Sequence, residues 1–452
     1  MKSLKHFIFN KLISKLGKDN LYIEYREYLN STNTDFFNKN CLYTNHFYQY
    51  YFARDYLLVD FLKINKLYIN DFLLKILLIR ENFIIKKVSY IIMKFILFAL
   101  FPLSILISFI SIIIKQIFLK NKIKNDNFFN SQNKEISIVF CKTSLKKISN
   151  SDFRKNIIFV SPNIKDINIP KTNNIFYLNK LFKLRTIINQ FFKINTFNFI
   201  KDQFKGMNII FYNSFLEFEF LVYFLIRFPN DIYIHILLQL LVDKLRPKCV
   251  LSGVINERHA LNMNSVLTNK IKKISLPHGI ATSIKLPINI FGEKYFCNSK
   301  TEFTYLNKYY PSIKFFYKEP KLKSIKDHKN KEVLFCTSAR SVKSDQNVIN
   351  LLGFLKINFN LRLHPNDNIK NYKLPHNCIH EKYNDNPFFE RIIVSRCSNV
   401  LNDAIRNNSL PVAVLLNSID RYELLVESLG VMPHNVVIIN QPKKLIKFFE
   451  NL

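Results

Sequence analysis

Beyond residue 130 the chain alternates two kinds of apolar pattern. Short runs rich in Ile, Val and Phe are bounded by polar turns, and longer amphipathic stretches lie between them. Short β-branched runs of this kind are buried strands, and strands alternating with helices build parallel sheets. In a first half the predicted strands are EISIVF (135–140), NIIFVS (156–161), NIFYL (174–178), NIIFY (208–212), KCVLSG (248–253), KKISLP (272–277) and KYFCN (294–298). ILLQLLVDKLR and ERHALNMNSVLTNKI are helices among them. In a second half they are EVLFCTS (332–338), NFNLRLH (358–364), RIIVS (391–395), LPVAVLL (410–416) and NVVIIN (435–440). Helices are expected at about 342–356, 399–408, 420–429 and 441–451. A polar stretch, EPKLKSIKDHKNK (319–331), joins the halves. The pattern predicts an α/β chain of two Rossmann-like domains, 131–325 and 326–452, facing a cleft. Ligands of such sheets lie at the carboxyl ends of the strands, so the cleft is the expected site.

Residues 1–130 read differently. They are helical and aromatic-rich, and contain FILFALFPLSILISFISIII (95–114), a run without a charge. As one helix it would be about 30 Å long, the thickness of a bilayer core. Lys86, Lys87 and Lys94 flank it on one side, and Lys115, Lys120, Lys122 and Lys124 on the other. A single span normally has one basic side. Equal flanks suit a segment that enters and leaves on one face, with Pro102 supplying a bend. A true span and a buried helix are the other readings. The expectation is a helical, membrane-associated N-terminal region engaging lipid through 86–124. An Asn-rich linker, 120–134, comes after it.

Composition removes several function classes. Glycine numbers 7 in 452 residues, and neither GxGxxG nor GxxxxGK[ST] occurs. The seven Cys are odd in number with no CxxC pair, which argues against a disulfide framework or a Cys-rich zinc site. Net charge is +33, but residues 1–130 carry 19 basic and 9 acidic side chains, the same density as the whole. A diffuse charge with no recognition-helix, zinc-finger or RNP pattern does not point to nucleic acid.

Against so little glycine, each one placed at a strand end is informative. Gly253 ends one predicted strand, and Gly279 follows His278 in SLPHGI (275–280). Close backbone approach or positive φ explains glycines there. In LRLHPND (361–367), Arg362 and His364 alternate on a strand that Pro365 stops, and His at a carboxyl end can donate to a phosphate. VSRCSNVLNDAIRNNSLPVAVL (394–415) is a strand ending at Ser395, a hydroxyl-bearing turn and a helix beginning near Ser398. Such turns hold phosphate on free N–H groups, although Ser398 is also an ordinary helix cap. Asp403, in that helix, either reaches a ribose hydroxyl or is solvated. FCTSAR (335–340) brings Ser338 and Arg340 to the same edge, with Arg340 a phosphate clamp or a surface ion-pair member. For a general base, Glu257 in VINERHAL (254–261) and His278 are the two candidates.

Taken in order, the PHG passage, the KYFCNS strand after it, the RLHP strand and the Ser-containing turn before LPVAV resemble bacterial GT-B glycosyltransferases of surface-polysaccharide type. The CDP-glycerol glycerophosphotransferases, the sialyl- and polysialyltransferases and the capsular Kdo transferases are similar in their HG and HP elements. The resemblance implies an inverting transferase with a nucleotide-activated, cytidine-type donor, no metal and no further cofactor. It implies a lipid-linked or polysaccharide acceptor at the cytoplasmic face of a bacterial inner membrane. It carries the donor-phosphate role to His364, the phosphate turn to Cys397–Ser398, the helix acid to Asp403 and the HG histidine to His278. Three departures stand out: there is no acidic base motif, the HG lacks flanking Trp and Thr-Pro, and Arg-Cys-Ser replaces Tyr-Ser-Ser. A sugar-nucleotide 2-epimerase and a non-catalytic scaffold with a degenerate site remain the alternatives.

Overall fold

The computed structural model describes Glu24, residues 102–103 and 105–117, and residues 135–452 except 141, 150–155, 163–174, 195–213, 254–257, 278–290, 319–330, 339–340, 365–366, 382–387, 397, 418–419, 422–423 and 425–435. Two wholly parallel sheets organise it. The first lobe runs β1 (Glu135–Val139), α1 (Lys142–Ser149), β2 (Ile157–Val160), β3 (Ile175–Tyr177), α2 (Leu184–Lys193), α3 (Ser214–Leu245), β4 (Cys249–Ser252), α4 (Arg258–Val266), β5 (Lys272–Ser275), β6 (Lys294–Phe296), α5 (Lys300–Tyr309) and β7 (Lys314–Phe316). Its strands lie in the order β3-β2-β1-β4-β5-β6-β7. The second lobe runs β8 (Val333–Cys336), α6 (Val342–Phe354), β9 (Phe359–Arg362), β10 (Cys378–His380), β11 (Ile392–Ser395), α7 (Val400–Arg406), β12 (Leu410–Val414), β13 (Val437–Ile439) and α8 (Pro442–Glu450). Its order, β10-β9-β8-β11-β12-β13, repeats the same winding.

Both orders reverse direction once, between β1 and β4 and between β8 and β11. That reversal splays the succeeding loops apart and opens a crevice at the carboxyl edge. The strands are built for it. β4, β8, β11 and β12 are buried at every position, as expected where helices cover both faces. Thus the doubly wound pattern read from the sequence is present twice. Two strands escape that reading, β7 and β10. The predicted strand at 208–212 and most of the helix expected at 420–429 lie outside the described residues.

The expected membrane-associated helical region is corrected. Among the described residues no helix is long and apolar enough to cross a membrane. The described part of the 95–114 run is helical and continues to Ile117. One stripe of it, Ser108, Ile112 and Gln116, is buried against the first lobe. Gln116 Nε2 donates to the Tyr233 hydroxyl at 2.7 Å and to the Asn179 carbonyl at 3.1 Å. Lys115 donates to Asn230 Oδ1 at 3.1 Å, and Phe109 packs on Phe191 and Phe192 with ring centroids 5.7 Å from each. The i, i+4, i+8 spacing of the buried positions is that of a helix lying on a protein surface. Its polar members find partners in α3 and beside α2, which a lipid environment would not supply. The remaining helices expected in 1–80 and the linker at 120–134 lie outside the described residues.

Candidate functional site

In sheets of this winding, the loops that leave the carboxyl ends of the strands line the ligand crevice. At the end of β4, Gly253 faces α1. A Cβ built on it would sit 2.4 Å from Ser144 Oγ and 2.6 Å from Ser144 Cβ, so the absent side chain lets α1 approach the strand end. Gly292 takes φ +105°, a conformation that favours glycine, two residues before β6 begins. Glu257, His278, Gly279, Arg340 and Cys397 lie outside the described residues. The elements leading to them are described. Glu257 lies between β4 and α4, and His278 comes after Pro277, two residues past the end of β5. His259, the described histidine of the first of these segments, is buried and stacks on Phe140 at a centroid distance of 4.7 Å and an angle of 6°.

In the second lobe, His364 stands two residues beyond β9, half-buried. Its backbone N–H donates to Thr337 Oγ1 at 2.8 Å, and Thr337 N–H donates to the Arg362 carbonyl at 3.1 Å. Thr337 is therefore knitted to Arg362 and His364 at one edge. The Arg362 guanidinium lies over the Phe388 ring, 5.4 Å from its centroid. Ser398 caps the next helix: its hydroxyl accepts from the Val400 N–H at 3.3 Å. Ser395 is fully buried and donates to the Cys336 carbonyl at 3.0 Å, which fixes β11 to β8 from within the sheet.

Ser338 belongs to a charged network that sequence reading missed. Its backbone N–H and hydroxyl donate to Asp345 Oδ2 at 3.2 and 3.4 Å. Its hydroxyl also accepts from Arg396 Nη1 at 3.1 Å. Arg396 forks onto Asp420, Nε to Oδ2 at 2.8 Å and Nη2 to Oδ1 at 2.5 Å. Nη1 lies 3.1 Å from Asp345 Oδ1 and donates to the Ser341 carbonyl at 3.0 Å. All three charged side chains are almost wholly buried. Burial works against the guanidinium's charge, but hydrogen bonding to Asp420 and the charges of Asp420 and Asp345 outweigh it and raise its pKa. Burial raises the Asp345 carboxyl, and Arg396 opposes that shift. One arginine thus staples the β8–α6 loop, the turn after β11 and the segment after β12. The only sequence signal was Arg396 standing where the resembling enzymes carry an aromatic residue.

A second group sits where the lobes meet. Lys147 of α1 donates to Asn298 Oδ1 at 2.7 Å and to the Pro277 carbonyl. From the other lobe, Arg406 at the end of α7 donates to the Asn298 carbonyl and, at 3.3 Å, to its Oδ1. Desolvation, followed by the charge of Arg406, lowers the Lys147 pKa to about 8. Asp403 keeps part of its surface open, 3.9 Å from Arg406. Partial desolvation beside the seam raises its pKa, while Arg406 and Lys147 oppose the rise. Asp403 therefore belongs to the junction of the lobes. Beneath Asn298 is a capping box: Ser299 Oγ accepts from the Glu302 N–H at 3.0 Å, and Glu302 Oε2 accepts from the Asn298 N–H at 2.6 Å. The buried Glu302 also accepts from the Tyr295 hydroxyl at 2.9 Å. The S-x-x-E spacing of Ser299 and Glu302 is a cap signal that the sequence reading passed over, and nothing in the sequence marks the lysine and arginine that meet above it.

No family model and no curated protein matches the chain. Among solved structures it is similar to the UDP-GlcNAc 2-epimerase from Methanocaldococcus jannaschii, with 12% identity over 70% of this chain and 92% of that one and a TM-score of 0.39. It is also similar to the UDP-GlcNAc 2-epimerase from Neisseria meningitidis bound to UDP-GlcNAc, with 12% identity over 70% of this chain and 100% of that one and a TM-score of 0.33. At these scores the likeness decides neither fold nor activity, and the architecture rests on the strand orders given above.

Proposed function

We propose that the chain is an enzyme acting on a nucleotide-activated sugar in the cleft between its lobes. Its reaction, in this reading, transfers the sugar, or a polyol phosphate, to an acceptor hydroxyl on a lipid-linked or polysaccharide chain, with both substrates met in the cytoplasm. The observation that supports it is the winding of the second sheet together with the positions of His364 and Ser398, just beyond the carboxyl ends of β9 and β11. Doubly wound sheets hold nucleotides at that edge.

The step begins when a base, Glu257 or His278, takes the proton of the acceptor hydroxyl. The freed oxygen attacks the anomeric carbon, or the phosphorus of a polyol phosphate. The bond to the nucleotide's phosphate breaks, and that phosphate leaves with the electron pair. His364, Ser398 and Arg340 stabilise the departing charge. Such preorganised donors are worth a few kcal/mol each, as about 3–4 kcal/mol for an oxyanion-hole donor illustrates. Arg362 and Ser338 support this edge through their neighbours, and a cytidine base is the donor that the motif resemblance favours.

Epimerisation of the sugar at carbon 2 is the second reading, because a two-lobed nucleotide site serves it equally and no acceptor is needed. Product analysis separates the two. Transfer predicts release of free nucleotide from a nucleotide sugar only when an acceptor extract is present. Epimerisation predicts a new sugar isomer from UDP-N-acetylglucosamine alone. Neither product from any CMP-, CDP-, UDP- or GDP-linked donor would contradict both and leave a non-catalytic scaffold.

A further inference from the structure

Asn298 is held by cations from both lobes. Lys147 reaches it from α1, and Arg406 from α7. Its backbone is pinned from below by Glu302. Asn298 is buried, and its side-chain amide donates to the Pro277 carbonyl at 3.3 Å. Lys147 donates to that same carbonyl. The lobe contact is therefore made on Asn298, which shares with Lys147 the carbonyl of Pro277, the residue before His278 in the sequence.

We propose that Asn298 is the latch between the lobes, with Lys147 as the positioning residue that aims its carbonyl groups at Arg406. On the nucleotide-sugar reading, this contact sets the spacing between the base side and the donor side of the cleft; the latch itself does not depend on that reading. Two physical features support it. The last residue of α7 reaches across the seam to a backbone carbonyl, an acceptor that no side-chain substitution removes. And an ammonium and a guanidinium sharing one Oδ1 repel, a cost worth meeting only where the lobes need holding. The charged groups facing Lys147 are Arg406 and Asp403 from α7 and Glu302 from α5.

Separation of the lobes would remove Arg406 and admit water, returning Lys147 toward 10.5. The latched form then binds fewer protons between pH 8 and 10.5 than the separated form. Latching is accordingly favoured as pH rises through that window, and Lys147 adds no pH dependence well below it.

Hydrogen exchange on the full chain, with no nucleotide present, tests the latch. Arg406 is partly exposed, so Arg406→Ala should fold with an unchanged thermal midpoint. It should speed exchange in the peptide 291–303, which belongs to the opposite lobe, by about tenfold. A role confined to its own lobe would not move that peptide. Arg406→Lys should restore part of the protection. In the wild type, protection corrected for intrinsic exchange should rise between pH 8 and 9, and in Lys147→Gln it should be flat. Unchanged exchange at 291–303 in Arg406→Ala, or a pH trend that survives Lys147→Gln, would overturn the proposal. Both outcomes are read without a donor. A latch that passes in a chain that binds no nucleotide would count against the donor site alone.

Discussion

Arg396 carries more of the second lobe than its place in a short turn indicates. Its fork satisfies two buried carboxylates and a hydroxyl, from α6, the loop before it and the segment after β12. A buried ion pair adds little net stability over an apolar substitute, but removing one partner leaves uncompensated charge. Arg396→Met should therefore destabilise the chain by about 3–5 kcal/mol in urea unfolding, because Asp345 and Asp420 are left facing each other. A loss under about 1 kcal/mol would mean the carboxylates find another partner. Gly253 makes the converse point, that an absent atom can matter as much. Gly253→Ala should cost about 1–3 kcal/mol through overpacking against Ser144. Adding Ser144→Gly should recover part of that loss, whereas additive losses would show that the two sites do not share the space.

At the scale of elements, the helix through 102–117 shows how an apolar run is read by its polar minority. Ser108 and Gln116 fall on the buried stripe, and Gln116 meets a fully buried tyrosine hydroxyl. Gln116→Leu should cost about 1–3 kcal/mol, the desolvation penalty of leaving Tyr233 without that partner. An unchanged midpoint in thermal unfolding would place this helix's attachment elsewhere. The central strands were legible because their Ile, Val and Phe runs are buried on both faces and bounded by polar turns. β7 and β10 were not, because each is a three-residue edge strand with exposed positions, such as Phe316 and Ile379. The 95–114 run misled for a related reason: hydropathy counts apolar residues but not the direction in which a helix turns its few polar ones.

At the scale of the molecule, one winding is used twice, and the lobes meet where Arg406 of α7 reaches Asn298 beyond β6. The position of His364 just past β9 was legible because HP ends a strand. Lys147 was not, since KTSLKKIS looks like a solvated helix, and only the convergence of β5, β6 and α7 gives its ammonium an asparagine and a carbonyl to hold. Asp403 was read as either a ribose contact or a solvated helix residue, and its nearness to Lys147 comes from the docking of the lobes. The proposed nucleotide site rests on the carboxyl edge of the second sheet, the strand-terminating histidine and the hydroxyl-bearing turn together. Isothermal titration of the wild type and His364→Ala with CMP, CDP, UDP and GDP tests this most directly. At least one nucleotide should bind the wild type and bind the equally stable variant about tenfold or more weakly, a loss of about 1.4 kcal/mol. Equal affinity in the two proteins, or no binding of any nucleotide by the wild type, would contradict it.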